Sequence, residues 1–254
     1  MEVGTARAPR LAVLGAGHVG PVIARLAIKA GYQVSIATSS DPDNLALITE
    51  LLIPGAEPRR AEDAIADAEM VVLAIPLHRF SGLDPSMLAD KLVIDAMNYW
   101  PSSDGLLEDF EGSAGSSEIV ARKLPDSTVV KALNHIGYHE LEENARPTGS
   151  PGRRATAVAS DRSRGLSAVT EFVDRIGYDV VPLPSLVAGR VLQPGGPVFG
   201  LVLARADFER AVRTEPRRAI PTEPERAVSS APVPAVAATF AGRGANEEVG
   251  YGDW

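Results

Sequence analysis

A glycine-rich hexapeptide near the start of the chain places the strongest constraint on its fold. It consists of Gly15, Ala16, Gly17, His18, Val19 and Gly20. The apolar run Leu11 to Leu14 comes directly before it, and such a run ended by glycines is typical of a buried parallel strand. Apolar residues then recur at helical spacing from Val22 to Ala30. Strand, glycine loop and helix in this order open a dinucleotide-binding βαβ unit.

The three glycines of this hexapeptide suit different parts of a phosphate site. Gly15 and Gly17 permit a tight turn and the close approach of backbone N–H groups to a pyrophosphate, whereas Gly20 permits the helix to pack against the strand. The N-terminus of the helix adds partial positive charge. The plainer alternative is a turn that merely uses glycine. Because strand, loop, helix and second strand occur together, we interpret the hexapeptide as a pyrophosphate loop.

Strands and helices continue to alternate as far as about residue 150. The predicted strands are 32–38, 70–75, 92–96 and 128–133, and the predicted helices are 44–52 and one beginning near Ser117. Repeated alternation predicts a parallel sheet covered by helices on both faces. We therefore expect a Rossmann-type doubly wound α/β domain over residues 9–150.

The remaining residues predict a smaller unit and a tail. A strand from about Ala155, a helix over 166–176 and a strand over 178–183 precede a glycine-rich segment at 193–200. We expect residues 151–210 to form a small C-terminal α/β cap that contributes to an acceptor pocket. Residues 211–254 are rich in Pro, Ala, Arg and Glu and show weak periodicity, so a flexible tail is expected there.

Composition excludes several classes of function. The 254 residues carry a net charge of −8, which opposes nonspecific binding to nucleic acid. No apolar run approaches the roughly 18 to 20 residues of a membrane span, and the first ten residues lack a secretory stretch, so a cytoplasmic location is expected. The absence of cysteine excludes disulfides, thiolate nucleophiles and cysteine-ligated metals. His139 and the glutamates near it do not have convincing ligand spacing, and no metal is predicted.

The residues after the second strand bear on the choice of nucleotide. An NAD-binding protein usually offers Asp or Glu there, whereas this chain offers Thr38, Ser39 and Ser40. Hydroxyls and backbone amides accept a 2′-phosphate without the repulsion that a carboxylate brings, which favours NADP over NAD. Asp41 follows closely, however, and Arg59 either reaches this site or is a solvated charge.

Several segments together resemble the coenzyme F420-dependent NADP oxidoreductase family. They are 11–20, 71–76, 93–98, 130–136 and 196–200, and the resemblance covers most of residues 11–200. It implies a small Rossmann protein with a short C-terminal subdomain that exchanges hydride between NADP(H) and a 5-deazaflavin. It also implies a homodimer. This chain departs from the family pattern at Ser39, where an arginine is common.

The resemblance also implies which residues contact the nucleotide. Gly15, Gly17, His18 and Val19 match its pyrophosphate loop, and Thr38 and Ser39 match its 2′-phosphate position. The strand end beside the nucleotide corresponds to Ile75 and Pro76, with Leu77 next to them, and Asn98 and Asn134 lie at matching strand ends near the nicotinamide.

The acceptor half of the reaction leaves more possibilities open. Hydride transfer between two flat rings requires alignment of the rings and exclusion of water rather than a catalytic triad. Two adjacent aromatic residues, Tyr99 and Trp100, either form an apolar wall for such a ring or pack under a loop. If the acceptor needs a proton, His135 is the first candidate for a catalytic acid, ahead of His139, because it follows a strand end.

Three functional hypotheses remain at this point. The first is hydride transfer between NADP(H) and a small-molecule acceptor, with coenzyme F420 as the best single choice. The second is an NADPH-dependent reductase of an organic carbonyl or imine, in which an acid such as His135 is essential. The third is a non-catalytic NADP(H)-binding sensor, because a fold alone does not establish catalysis.

Overall fold

The computed structural model describes residues 7–213. Most of the predicted tail, residues 214–254, lies outside the described residues. The strands are β1 Arg10–Leu14, β2 Gln33–Ala37, β3 Glu57–Pro58, β4 Met70–Leu73, β5 Leu92–Asp95, β6 Thr128–Ala132, β7 Ala155–Ala159 and β8 Asp179–Leu183. The α-helices are α1 Val19–Lys29, α2 Pro42–Leu52, α3 Ala61–Asp67, α4 Leu77–Phe80, α5 Pro101–Asp104, α6 Ser116–Lys123, α7 Tyr138–Glu143, α8 Ser163–Arg175 and α9 Arg205–Val212.

All strands join one sheet in the order β3-β2-β1-β4-β5-β6-β7-β8. The chain builds outward from β1 to β3, returns to the other side of β1 with β4, and then builds outward again. The reversal between β1 and β4 is the topological switch point, outside which ligands of open α/β sheets bind. This topology, with helices on both faces, confirms the predicted Rossmann-type doubly wound fold.

The core consists of apolar layers on the two faces of the sheet. Along β1, Leu11 and Val13 face the layer that contains the apolar sides of α1 and α8, whereas Ala12 and Leu14 face the layer that contains α3 and α6. Successive side chains of a strand point to opposite faces, so a strand buried on both faces is expected to be apolar along most of its length. This explains why β1 appears in the sequence as an uninterrupted apolar run.

The segment predicted as a cap, residues 151–210, continues the same sheet. β7 pairs antiparallel with β6, and β8 pairs parallel with β7. An antiparallel neighbour needs no crossover over the sheet, and the connection from β6 to β7 contains only the short helix α7. A third apolar layer, which includes Phe208 of α9, packs on these last strands. Within the described residues, no helix combines the length and hydropathy of a membrane span.

A buried ion pair joins the neighbouring strands β5 and β6. Asp95 and Lys131 occupy paired positions of these strands, and each side chain is 1% exposed. Lys131 Nζ lies 3.4 Å from Asp95 Oδ2, which also accepts a 2.6 Å hydrogen bond from Ser117 Oγ of α6. Asp95 Oδ1 accepts from the backbone N–H of Met97 at 3.0 Å, and Lys131 donates to the Met97 carbonyl. The network therefore fixes the chain where it leaves β5.

Burial lowers the pKa of the Lys131 ammonium, whereas the Asp95 carboxylate opposes that change. Removing one partner of a buried pair leaves the other charge without compensation. We expect Lys131→Met to lower the free energy of unfolding by about 3–5 kcal/mol. The double variant Asp95→Asn/Lys131→Met removes both charges and is expected to recover much of that loss. Urea unfolding of the three proteins tests this, and equal stability of single and double variants would contradict it.

Candidate functional site

The glycine loop lies at the carboxyl end of β1, against the end of β4. Gly15 has φ +115°, and a Cβ built there lies 2.3 Å from the carbonyl oxygen of Ala74. A Cβ on Gly20 lies 1.9 Å from the carbonyl oxygen of Gly15, so α1 touches the turn that precedes it. Side chains at these two positions are therefore excluded by the fold itself.

Gly17 differs from Gly15 and Gly20, the other two glycines of the loop, because it faces open space. In the described part of the chain, no heavy atom lies within 4 Å of a Cβ built on Gly17. Helix α1 begins two residues later, and within residues 7–213 its N-terminal N–H groups receive no side-chain cap from His18. Uncapped N–H groups at a helix N-terminus bind anions. The loop thus presents an open cradle of donors where a pyrophosphate is expected.

Two clefts lie beside this loop at the carboxyl ends of the strands. The first cleft, of about 550 Å³, is lined by Thr38, Ser39 and Ser40 together with Arg60 and Asp84. The second cleft, of about 330 Å³, is lined by Gly17, His18, Pro76, Asn98, Trp100 and Asp104. Ile75 lines both clefts. An elongated ligand that crosses the switch point therefore has one site on each side of Ile75.

Hydroxyl groups and one ion pair characterise the first cleft. Thr38 Oγ1 accepts a hydrogen bond of 3.1 Å from the Ser40 N–H, which fixes the turn after β2. Arg60 Nη2 lies 3.0 Å from Asp41 Oδ2. Arg59 is turned away, since it pairs with Asp67 at 2.6 Å and lines a different cavity. The hypothesis that Arg59 reaches the nucleotide is not supported by this position.

The predicted residues at the ends of β4, β5 and β6 have different surroundings. Ile75 and Pro76 line the second cleft, whereas Leu77 is 1% exposed and packs in the core. Asn98 also lines the cleft, and its Nδ2 donates to the Asn134 carbonyl at 2.7 Å. Asn134 is buried and returns a 2.9 Å hydrogen bond to Asn98 Oδ1. Asn134 thus holds Asn98 in place through hydrogen bonds and does not itself line the second cleft.

A buried carboxylate that sequence reasoning missed shapes the wall of the second cleft. Asp104 Oδ2 accepts from the Trp100 N–H at 2.8 Å. Its Oδ1 accepts from the His78 N–H at 3.1 Å and lies 3.0 Å from His78 Nδ1. Asp104 therefore joins α5 to α4 and holds Trp100 at the cleft. His78 and Asp104 are 26 positions apart in the sequence, so no local pattern reveals this contact.

The two adjacent aromatic residues have separate roles. The Trp100 ring lines the second cleft and packs edge-on against Phe199, with ring centroids 5.6 Å apart. Tyr99 packs under the following loop instead. Its hydroxyl donates to the Gly105 carbonyl at 3.2 Å and accepts from the Leu107 N–H at 3.0 Å. Trp100 supplies the apolar wall, and Tyr99 anchors the loop behind it.

His135 is buried in the apolar interior. It is 1% exposed, its ring meets Phe208 edge-on at 5.4 Å, and its Nδ1 lies 3.4 Å from Thr156 Oγ1. Within residues 7–213, His135 Nε2 has no hydrogen-bond partner. Burial lowers the pKa of His135 to about 3, so the imidazole is neutral near pH 7. His135 is not among the residues that line the second cleft. Its buried position therefore does not support the predicted role as a catalytic acid.

His139 lies on the exposed side of α7, beside the ring of Tyr138 at 4.2 Å. Tyr138 in turn stacks on His18, with ring centroids 4.9 Å apart and planes at 13°. Among the described residues, no group of three His, Asp or Glu side chains is arranged to hold a metal ion.

The burial of His135 predicts a dependence of stability on pH. Its pKa is about 3 in the folded chain and about 6.5 when unfolded, so between these values the unfolded state binds the extra proton. Stability due to this group is therefore lost as pH falls below about 6.5. We expect the wild type to lose about 2 kcal/mol more than His135→Asn between pH 7 and pH 5. Urea unfolding measures both, and parallel pH curves would rule out this burial effect.

Comparisons with known proteins agree with this architecture. Residues 10–99 match the model of the family described as NADP oxidoreductase, coenzyme F420-dependent. A crystal structure of a hypothetical protein from Sinorhizobium meliloti is 27% identical, with a TM-score of 0.68, covering 78% of this chain and 96% of that one. A candidate F420-dependent NADP-reductase from Arthrobacter sp. FB24 is 25% identical, with a TM-score of 0.61, covering 71% of this chain and 86% of that one.

More distant structures share the fold alone. Glycerol-3-phosphate dehydrogenase from Coxiella burnetii is 16% identical with a TM-score of 0.53, covering 72% of this chain and 56% of that one. The comparison with curated proteins found no match. The family match and the Arthrobacter structure confirm the resemblance identified from the sequence motifs. Residues 10–99 are thus similar to the coenzyme F420-dependent NADP oxidoreductase family, and the chain is an NAD(P)-dependent oxidoreductase.

Proposed function

We propose that this protein transfers hydride between NADP(H) and a deazaflavin of the coenzyme F420 type. The observation that carries the proposal is the pair of clefts that meet at Ile75, one rich in hydroxyls and the other walled by apolar side chains. A dinucleotide across the switch point has its adenosine half on the β2 side and its nicotinamide on the β5 side. The acceptor ring then occupies the second cleft with the nicotinamide.

The first cleft and the glycine loop fit the nucleotide. The open space at Gly17 and the N-terminus of α1 suit a pyrophosphate. Thr38, Ser39 and Ser40 present hydroxyls and amides at the end of β2, where a 2′-phosphate is accommodated. These residues support NADP(H) over NAD(H) as the nucleotide.

The second cleft suits an aromatic acceptor. Ala74, Ile75, Met97 and Trp100 give it apolar surface, and its volume of about 330 Å³ is in the range of small-molecule sites, roughly 300–1,000 Å³. When bound, NADPH supplies a hydride, which carries two electrons, and the acceptor takes up a further proton from water. The chain's own contribution is to align the rings and to exclude water between them.

The ionisable groups of the second cleft favour a deazaflavin over a carbonyl or imine. A carbonyl or imine needs a positioned proton donor. Asp104 has both oxygens engaged as acceptors, by Trp100 and His78. His135 is buried away from the cleft lining. Ring-to-ring transfer needs none of these groups to give up a proton.

An anaerobic absorbance assay tests the acceptor. Purified protein and NADPH are mixed with oxidised coenzyme F420, with FMN, with FAD, with a panel of carbonyls and imines, or with no acceptor. We expect saturable NADPH oxidation matched one to one by bleaching of the deazaflavin. Turnover of a carbonyl or imine without turnover of F420 would replace the deazaflavin with an organic acceptor. Nucleotide binding without turnover of any acceptor would contradict the proposed reaction.

Two glycine variants separate binding of the nucleotide from folding. A methyl group at Gly17 enters the open cradle and meets no atom of the described chain, so Gly17→Ala is expected to weaken NADPH binding about tenfold or more without changing Tm. A methyl group at Gly20 collides with the Gly15 carbonyl, so Gly20→Ala is expected to lower Tm. Fluorescence titration with NADPH and thermal unfolding measure the two effects. Equal NADPH affinity in Gly17→Ala and wild type would contradict the assignment of the loop.

A further inference from the structure

The hydroxyl side chains at the end of β2 are uncharged, so they cannot neutralise the negative charge of a bound 2′-phosphate. The chain has no Lys or Arg between Thr38 and Pro58, so no basic side chain comes from the turn after β2 itself. A phosphate monoester is close to a dianion at neutral pH, and arginine binds it most strongly through two parallel hydrogen bonds. The neighbouring charged residues after β2 are Asp41 and Asp43, which repel an anion. A protein that prefers NADP(H) needs a cation from another part of the chain.

We propose that Arg60 is this cation and sets the preference for NADP(H) over NAD(H), an inference that rests on the proposed function. Arg60 comes from the connection between β3 and α3, and it lines the first cleft together with Thr38, Ser39 and Ser40. The adjacent Arg59 points to the other side and pairs with Asp67. Along this short extended stretch, successive side chains take opposite directions, and only the second arginine enters the cleft.

The guanidinium of Arg60 is available for a ligand. Its side chain is 64% exposed, and the contact with Asp41 is a surface ion pair, a kind of pair that contributes little to stability. A guanidinium has five N–H donors, so it can contact a phosphate while it keeps or releases Asp41. Phosphate binding therefore requires no movement of the backbone.

The other charges of the first cleft make Arg60 decisive. Glu62 and Asp84 also line the cleft, and Asp41 lies beside Arg60. The Ser86 N–H lowers the pKa of Asp84, so that carboxylate is ionised at neutral pH. Without Arg60, the described charged side chains of this cleft are all acidic. Their field opposes a 2′-phosphate but has little effect on the neutral 2′-hydroxyl of NAD(H).

Fluorescence titrations of NADPH and NADH with four variants test the inference. We expect Arg60→Ala to weaken NADPH binding about 10- to 100-fold and to leave NADH binding within about twofold, because a charge-assisted hydrogen bond to phosphate is lost. Arg60→Lys keeps the charge but not the planar fork, and its NADPH affinity is expected to be intermediate. Arg59→Ala is the matched control and is expected to change neither affinity.

The fourth variant, Asp41→Asn, tests the exchange of partners. Asp41 Oδ1 caps α2 through the Asp43 N–H, and asparagine retains this cap. Removing its charge frees Arg60, so NADPH binding is expected to tighten about threefold or more. Weaker NADH binding in Asp41→Asn, with no effect of Arg60→Ala on NADPH, would overturn the inference and assign Asp41 to the ribose of NAD(H).

The remaining outcomes are distinct. If the wild type binds NADPH and Arg60→Ala has the same ratio of NADPH to NADH affinity as the wild type, the role of Arg60 is overturned. The proposed function is then unaffected. Wild-type protein that binds neither nucleotide would overturn both the proposed function and this inference.

Discussion

The contact between Gly20 and the Gly15 carbonyl is the constraint on which the site depends. It allows α1 to begin directly against the turn after β1, so that the N-terminus of the helix faces the gap between β1 and β4. Any side chain at Gly20 separates helix and turn, since even a Cβ lies 1.9 Å from that oxygen. Gly17 lies between these two tightly packed glycines in the sequence and faces open space. The loop thus combines close packing at Gly15 and Gly20 with open space for a ligand at Gly17.

Polar links between neighbouring strands keep the rest of the site in register with that loop. Asp95 and Lys131 connect β5 to β6 in the interior and fix the Met97 backbone through both its N–H and its carbonyl. One residue further along, Asn98 and Asn134 exchange hydrogen bonds. The buried charges cost desolvation, and their network holds the segment that lines the second cleft. Asp95, Lys131 and Asn134, which do not line the second cleft, thus help to position the strand ends that do.

Much of the fold could be predicted from the sequence because its strands are buried on both faces. Apolar runs located β1 and β4, and apolar runs interrupted by Asp95 in β5 and by Lys131 in β6 located the next two strands, each to within one or two residues. The helices α4 and α5 have four residues each, too few to show a period, and they were not predicted. The antiparallel direction of β7 also has no local signal, because it depends on the path of the preceding connection.

The candidate site could be predicted only where its residues are adjacent in sequence. The glycine loop and the Thr38 to Ser40 turn have contiguous motifs, and both lie at the expected strand ends. Arg60 reaches the first cleft, and His78 meets Asp104, only in the folded chain. Their separations along the sequence do not form a recognisable motif. His135 was chosen for its place after β6, but position along a strand does not tell whether a side chain faces the cleft or the interior.

The edge-on contact between Trp100 and Phe199 has a consequence for divergence of the enzyme. The glycine loop and the Thr38 to Ser40 turn lie before residue 99, whereas Trp100 in the wall of the second cleft is supported by Phe199, in a loop almost a hundred residues later in the chain. Mutations in that late loop alter the shape presented to the acceptor while the phosphate cradle and its helix stay intact. Substitutions near Phe199 can therefore reshape the second cleft without touching the residues that line the first.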